Sequence, residues 1–508
     1  MRPNGSRTVL TAAVVFMAVW YFVLERLLRH RAYGLFEPAM LGQAFRSMAE
    51  HLVAGRFDID PEAIDFEAFI VGDRTVSYFG IFCALLRLPL LPFPALRALD
   101  ITGLSCLIAV VLGGWFQLRA LLLVRDYTPA GPRRAWLTAA LAICVVLGGQ
   151  QIQFLRPSIY QEIVDWAGAL SMGFVFLALR GLLSEHGFNR QTLTWMAVCA
   201  GLGLLDRVSF GIGLYGALGL LLLTQWRAPG RAVPAVLLLI GFMVATGIVN
   251  NGRWGNPLTF ADFTTYSLDQ DVYPERLGRL SAYGTFNVRR LGVGLSYYFL
   301  PIWTWVQPDG SLLFAETQIA MIDAMELPAG SFPLTDPLLL GLAVVGVWRG
   351  LKLLPLPLRE GVGGRGDPTQ QPVLNHPSPQ PPPTRGGGVI VPTAPAAWMP
   401  THALLLGLTI PPVLMLCAIS MAWRYRMEFY PFLVLAALLG VHALCQTSAR
   451  PFSRRTKTAI AGAVITSVLM SHGMAALYAV SPWGSAEQYV TKDGWIGTYA
   501  PRLIAGHD

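Results

Sequence analysis

Apolar residues run along this chain in unbroken stretches of about 20, far more than one soluble core requires. Such stretches begin near Thr8, Ile101, Ala135, Ile159, Thr192, Val208, Val233, Leu334, His402, Phe429 and Ala459. A helix of that length crosses roughly 30 Å of hydrocarbon. Only helices and closed barrels satisfy their own backbone there, and the runs are continuous rather than alternating, so helices are expected. The pattern predicts an all-α, polytopic membrane helix bundle of about 11 spans. Thr8 to Leu28 is long and has no small-residue cleavage site, so it reads as a retained span rather than a signal peptide.

Two further apolar stretches, Tyr78 to Phe93 and Leu291 to Trp305, are left out of that count. The first is short and carries Arg87, Pro89 and Pro92, and both are expected to lie along or dip into the outer interface. Basic residues then set the orientation. They flank five connections: Arg119, Arg125, Arg133 and Arg134; Arg180 and Arg190; Arg227 and Arg231; Arg349, Lys352 and Arg359; and Arg450, Arg454, Arg455 and Lys457. With all five in the cytoplasm, the N-terminus is cytoplasmic and the tail from Ser481 lies outside. Arg26, Arg29 and Arg31 run against this order, outweighed by the five later clusters.

The net charge of +8 is explained by those cytoplasmic connections, so no nucleic-acid partner is expected. The six cysteines show no CxxC or Cys/His pairing, which argues against a disulfide framework or a zinc site. Residues 355–398 are rich in Pro and Gly and read as a disordered cytoplasmic linker. It would separate a membrane bundle over 1–354, with outer loops 29–98 and 251–333, from C-terminal spans and an outer tail over 399–508. The setting expected is a bacterial inner membrane.

Only 13% of the chain is charged, yet the loop after the first span holds Asp58, Asp60, Glu62, Asp65, Glu67 and Asp73. Other polar residues are expected at the same face: Tyr160, Glu162 and Asp165 where the fourth span opens, the turn Asp206-Arg207, Arg253 after the seventh, and Arg424, Tyr425, Arg426 and Glu428 before the tenth. Ionisable residues in a membrane protein tend to be paired or functional. Asp206 with Arg207 reads equally well as a plain ion pair, and Arg424 and Arg426 as lipid anchors. Tyr78, Tyr160 and Tyr425 could line a sugar or prenyl pocket, or form an interfacial belt.

A carboxylate can take a proton from a hydroxyl nucleophile or hold a divalent cation. Arginine binds a phosphate leaving group and offsets its developing charge. Together they suit transfer of a group from a lipid-linked phosphate to an acceptor. A divalent cation is the one cofactor this leaves open, with no ligand set specified; His51, near the acids, is a candidate ligand or a solvated loop residue.

The order of elements, with the segment Tyr78-Phe-Gly-Ile-Phe-Cys-Ala-Leu-Leu-Arg-Leu-Pro89 in the first loop, resembles the GT-C fold integral-membrane glycosyltransferases. That group includes the lipid-A aminoarabinose and protein mannosyltransferases. Ser158-Ile-Tyr-Gln-Glu162, Asn250 to Pro257 and Arg424 to Pro431 are similar to segments of uncharacterised bacterial members. The family's Asp-Glu or lone Asp followed by Tyr is absent, and Glu37 stands nearest; Gly80 and Cys83 stand where its interfacial helix has a double proline. The resemblance implies a polyprenyl-phosphate-sugar donor in the lipid bilayer and a glycan, lipid or protein acceptor outside. By position it implies Glu37 as catalytic acid, with Asp58 and Asp60 next because carboxylates are densest there. Arg207, Arg424 and Arg426 would bind the phosphate, with Arg253 and Arg87 in support. Tyr160 and Glu162 would shape the sugar site, with Tyr78 as a lining aromatic. Asp65, Glu67 and Asp73 are expected on a solvated face. The rival readings are a transporter or flippase for a lipid-linked or anionic substrate, hinted at by Asp165 and the Gly-rich run Gly211 to Gly219, and a non-catalytic scaffold with these groups scattered.

Overall fold

The computed structural model describes residues 3–29, 35–148, 157–225, 229–301, 304, 313–325, 331–352, 398–447 and 450–480. The expected 355–398 linker, apart from Trp398, and the tail from Ser481 lie outside the described residues. Every one of the expected spans is a helix: Pro3–Arg29, Thr102–Asp126, Pro132–Leu147, Ile159–Leu183, Arg190–Asp206, Val208–Thr224, Pro229–Trp254, Pro337–Lys352, Trp398–Leu408 continued by Ile410–Leu416, Tyr430–Gln446 and Arg454–Val480. By length and composition, 6 stretches among the described residues can cross a membrane. The protein is an all-α membrane helix bundle.

Local chemistry sets the helix starts. Ser158 and Asn189 accept hydrogen bonds from the backbone N–H of Tyr160 and Thr192, satisfying groups that a helix N-terminus leaves open. Pro132 and Pro431 fall in first turns, where no N–H is needed. Between Arg190–Asp206 and Val208–Thr224 a single residue, Arg207, is extended (φ −141°, ψ 114°). One residue thus reverses the chain and sets its own side chain at the end of two helices.

Small residues let the helices cross closely. A Cβ at Gly346 would stand 1.9 Å from the Ala436 carbonyl oxygen, and one at Gly440 would stand 2.2 Å from that of Leu342. Gly213 faces Pro411 and Gly407 faces Ala217 in the same way. Gly211, Gly213 and Gly216 of the Gly211 to Gly219 run therefore form a packing seam, whereas Gly219 meets nothing within 4 Å among the described residues. The Pro229–Trp254 helix lies at the periphery, turning Leu237, Ile240, Val244 and Ile248 outward at helical spacing. Tyr78 to Phe93 forms short turns around Phe82–Leu85 and Leu88–Leu90, and Leu291–Phe299 is 9 residues long. Neither helix can span a bilayer at about 1.5 Å per residue.

Arg133 and Arg134 reach the carbonyls of Leu444, Arg125 and Thr128, gathering two basic connections at one end. The two long loops gather at the other. The first packs Phe45, Met48 and Ala49 of the Ala44–Val53 helix with Phe79, Phe82, Ile159, Ile163 and Leu205. It also forms a hairpin, Phe69–Val71 with Arg74–Val76, whose turn places Gly72 at φ +66°. The second loop pins onto the first: Ser267 donates to the Ala68 carbonyl from its backbone N–H (3.0 Å) and its hydroxyl (2.9 Å). Beside that bond the Tyr266 ring stacks on Phe69 at 4.8 Å.

Gly346→Leu is expected to cost roughly 1–3 kcal/mol or more through overpacking. A thermal-shift assay in detergent checks this; an unchanged melting temperature would contradict the close crossing.

Candidate active site

The densest acids of the first loop turn out to be a latch. His51 lies between two carboxylates, with Nδ1 2.9 Å from Asp58 Oδ1 and Nε2 3.1 Å from Asp60 Oδ1. Arg56 donates to Asp58 Oδ2 (3.1 Å) and the Ser47 hydroxyl to Asp60 Oδ2 (2.6 Å). The irregular 55–60 segment is thereby fastened back onto the Ala44–Val53 helix. Partial desolvation pushes the Asp58 carboxyl up, but hydrogen bonds from His51 and its own backbone and the charges of His51 and Arg56 hold it below 3.8. Asp60 is held below 3.8 first by the Ser47 hydroxyl, against some desolvation, then by His51 and Arg56. Glu37 is exposed, in a turn, with no hydrogen-bond or ion-pair partner among the described residues.

Three of the expected phosphate-binding arginines are engaged with the protein itself. Arg87 makes a two-pronged bond to Glu162 (2.8 and 2.9 Å), reaches the Cys83 carbonyl and covers the Phe45 ring. Glu162 is fully buried, so the two satisfy each other as a scaffold pair. Arg253 donates to the Phe79 carbonyl (2.7 Å) and approaches Met48 Sδ. Arg426, 1% exposed, bonds Asp336 (2.8 Å) and Thr335 between the rings of Phe332 and Trp423, and Tyr430 donates to the same Asp336. Burial of Arg424 and Arg426 also overturns the reading of both as lipid anchors.

Asp206 and Arg207 are not each other's hydrogen-bonding partners. The Cys83 thiol donates to Asp206 (3.4 Å), and a Cβ at Gly80 would stand 2.1 Å from the Asp206 carbonyl oxygen. Gly80 thus permits the first loop to dock on the helix hairpin. Arg207 turns the other way and donates from Nε to Glu428 Oε1 (2.8 Å), which also accepts from the Ser209 hydroxyl (2.7 Å). Its terminal nitrogens take no protein partner among the described residues, and its side chain is 18% exposed.

The remaining groups converge. The Arg207 and Arg424 guanidiniums lie 4.9 and 5.2 Å from the centre of the Tyr425 ring. Arg424 also lies 4.5 Å from the Tyr160 ring, and the Tyr160 hydroxyl donates to Glu67 Oε1. The Tyr266 hydroxyl, carried by the second loop, helps hold the Glu67 carboxyl down. Tyr78 and the buried, unpartnered Tyr298 hydroxyl interact electrostatically with this cluster. Glu67 overturns the expectation of a solvated face: it is 8% exposed, whereas Asp65 and Asp73 are exposed. Burial pushes its carboxyl above the ordinary 4.5, with a small push from Asp269. The Tyr160 and Tyr266 hydroxyls and the Arg424 charge oppose the rise. Phenols on one flank and two guanidiniums on the other can hold a hydroxylated sugar phosphate. Among the described residues no three His, Cys, Asp or Glu side chains are grouped to hold a metal ion. His51 faces its carboxylates from opposite ring edges, which suits a latch rather than a cation.

No protein-family model matches the chain. No curated protein matches it either. Among solved structures the chain is similar to the oligosaccharyltransferase of Archaeoglobus fulgidus in its apo form, with TM-score 0.46 and 12% identity over 100% of this chain and 60% of that one. The same protein tethered to an acceptor peptide containing the NVT sequon gives TM-score 0.45 and 11% identity over 100% and 60%. The complex of the archaeal oligosaccharyltransferase AglB with an inhibitory peptide and a dolichol-phosphate gives 0.43 and 13% over 99% and 60%. The chain spans about 60% of the length of these proteins.

Glu162→Gln is expected to destabilise the protein by roughly 3–5 kcal/mol, because Arg87 is left buried without its counter-charge. The double variant with Arg87→Met should recover much of that loss in detergent unfolding, and additive losses would refute the pairing. The latch predicts an acid effect. Carboxyls held below 3.8 stabilise the fold above the ordinary range, and that contribution disappears as pH falls through their depressed values. Hydrogen-exchange protection of 55–60 should fall there. An Asp58→Asn/Asp60→Asn protein should lack this acid dependence, and the same drop in both would count against the latch.

Proposed function

We propose that this protein is a membrane glycosyltransferase that moves a sugar from a polyprenyl-phosphate donor to an acceptor at the outer face of a bacterial inner membrane. The observation that carries the reading is the meeting of Arg207 and Arg424 on the Tyr425 ring, with Glu67 one tyrosine ring away. The guanidiniums would bind the phosphate and offset the charge it gains as the sugar leaves. The tyrosines would supply flat, hydroxyl-bearing walls for the sugar and the first isoprene units. A first-loop carboxylate would take the acceptor's proton. The distribution of Lys and Arg supports an outer location, since this cluster lies at the end away from the basic connections.

Asp165, 1% exposed with neither carboxylate oxygen hydrogen-bonded by the geometry of the described residues, favours the second reading, transport of an anionic or lipid-linked substrate. The Gly211 to Gly219 seam no longer speaks for it, because packing accounts for it.

Purified protein supplied with a panel of radiolabelled polyprenyl-phosphate sugars and membrane-extract acceptors should show transfer. Arg207→Gln and Arg424→Gln should each lower kcat/KM by roughly 100-fold or more. Folded wild-type protein that transfers no sugar, or variants with undiminished rates, would refute the proposal. Donor movement across vesicles without transfer would favour transport.

A further inference from the structure

Resting on that glycosyl-transfer reading, we propose that Glu67 is the catalytic carboxylate that accepts the proton of the acceptor hydroxyl. The other acids fall away on geometry. Asp58 and Asp60 are turned onto His51, Arg56 and Ser47. Glu162 is spent on Arg87, and Glu428 holds Arg207 Nε and the Ser209 hydroxyl. Glu37 stands exposed, where water competes for the acceptor and nothing fixes its direction.

Glu67 differs on each count. It is buried, the Tyr160 phenol on a membrane helix donates to it, and the Ser267 bonds to the Ala68 carbonyl fix the backbone beside it. A carboxylate has about four lone-pair positions, so the phenol bond donated by Tyr160 leaves room for a substrate hydroxyl. Across the Tyr160 ring stands Arg424. The anomeric carbon of a bound sugar would then lie between a base on one side and a phosphate-holding cation on the other, the arrangement displacement requires.

The reaction balances. The acceptor oxygen forms a bond to the anomeric carbon as the bond from that carbon to the phosphate oxygen breaks. The phosphate leaves with the electron pair, remaining on the lipid and held by Arg207 and Arg424. The acceptor's proton passes to Glu67 and then to water when the products depart. Burial supports the role by making this carboxylate more basic than one in water.

The test measures transfer by wild type, Glu67→Gln and Tyr266→Phe over a range of pH, with donor binding measured separately. Gln can still accept the Tyr160 hydrogen bond, so Glu67→Gln should fold and bind donor as wild type does. It should lose roughly 100-fold or more in kcat, the scale of general-base catalysis. Tyr266→Phe removes a hydroxyl that helps hold the Glu67 carboxyl down, so the acid limb of the pH–rate profile should move to higher pH. A Glu67→Gln protein that retains a third or more of wild-type kcat, or an acid limb unmoved in Tyr266→Phe, overturns the assignment. The second measurement decides the matter if Glu67→Gln fails to fold. Wild-type protein that transfers nothing refutes the underlying reading and this one with it; an active Glu67→Gln enzyme refutes this one alone.

Discussion

A guanidinium withdrawn from water needs a compensating partner, and the ways in which Arg87, Arg207, Arg253, Arg424 and Arg426 meet that need divide the loop end of the bundle into scaffold and site. Arg87 and Arg426 take carboxylates on neighbouring helices, Glu162 and Asp336. Arg253 takes a backbone carbonyl and so tethers the first loop at Phe79. Arg207 takes Glu428 through Nε and shares the Tyr425 ring with Arg424, while its terminal nitrogens take no hydrogen-bond partner among the described residues. Arg87, Arg253 and Arg426 hold the architecture, while the Arg207 side chain is 18% exposed.

The second constraint is the junction of the two loops. Ser267 on the Ala68 carbonyl brings Tyr266 beside Glu67, and the Phe69–Tyr266 stack reinforces that junction. The carboxylate is therefore built from three parts of the sequence: a turn of the first loop, the start of the Ile159–Leu183 helix and the loop that follows the Pro229–Trp254 helix. Asp206, Cys83 and Gly80 anchor the first loop to the helix hairpin from below. Packing and hydrogen bonding act here in series, each fixing the element on which the next depends.

The helices were legible because a bilayer leaves few alternatives: a continuous apolar run of sufficient length can only be a helix. The Asp206-Arg207 turn was legible too, as a polar island between two such runs. Pairings were not. Glu162 finds Arg87 and Arg207 finds Glu428 across long stretches of chain, and nothing in the residue types names those partners. The density of carboxylates drew attention to Asp58 and Asp60, whose partners are local and structural. Glu67 lay unmarked among exposed acids, although Ala68 and Phe69 beside it hinted at a chain turning inward. Its burial depends on Tyr160 and Tyr266, remote in sequence. The 355–398 linker, apart from Trp398, stands outside the described residues and leaves that part of the domain reading as an expectation.

Arg207 is a single extended residue clamped between two helices, whereas Glu67 rides on a loop held by another loop. The arrangement is that of a vice with one fixed jaw and one adjustable jaw. On the proposed function, the phosphate would be positioned by the bundle and tolerate little alteration, while the space for the rest of the substrate would be set by the joint at Ala68 and Ser267. Sequence change in the second loop can therefore recut the gap for a larger or smaller guest without disturbing the anchor, and this is where relatives with different substrates would be free to diverge.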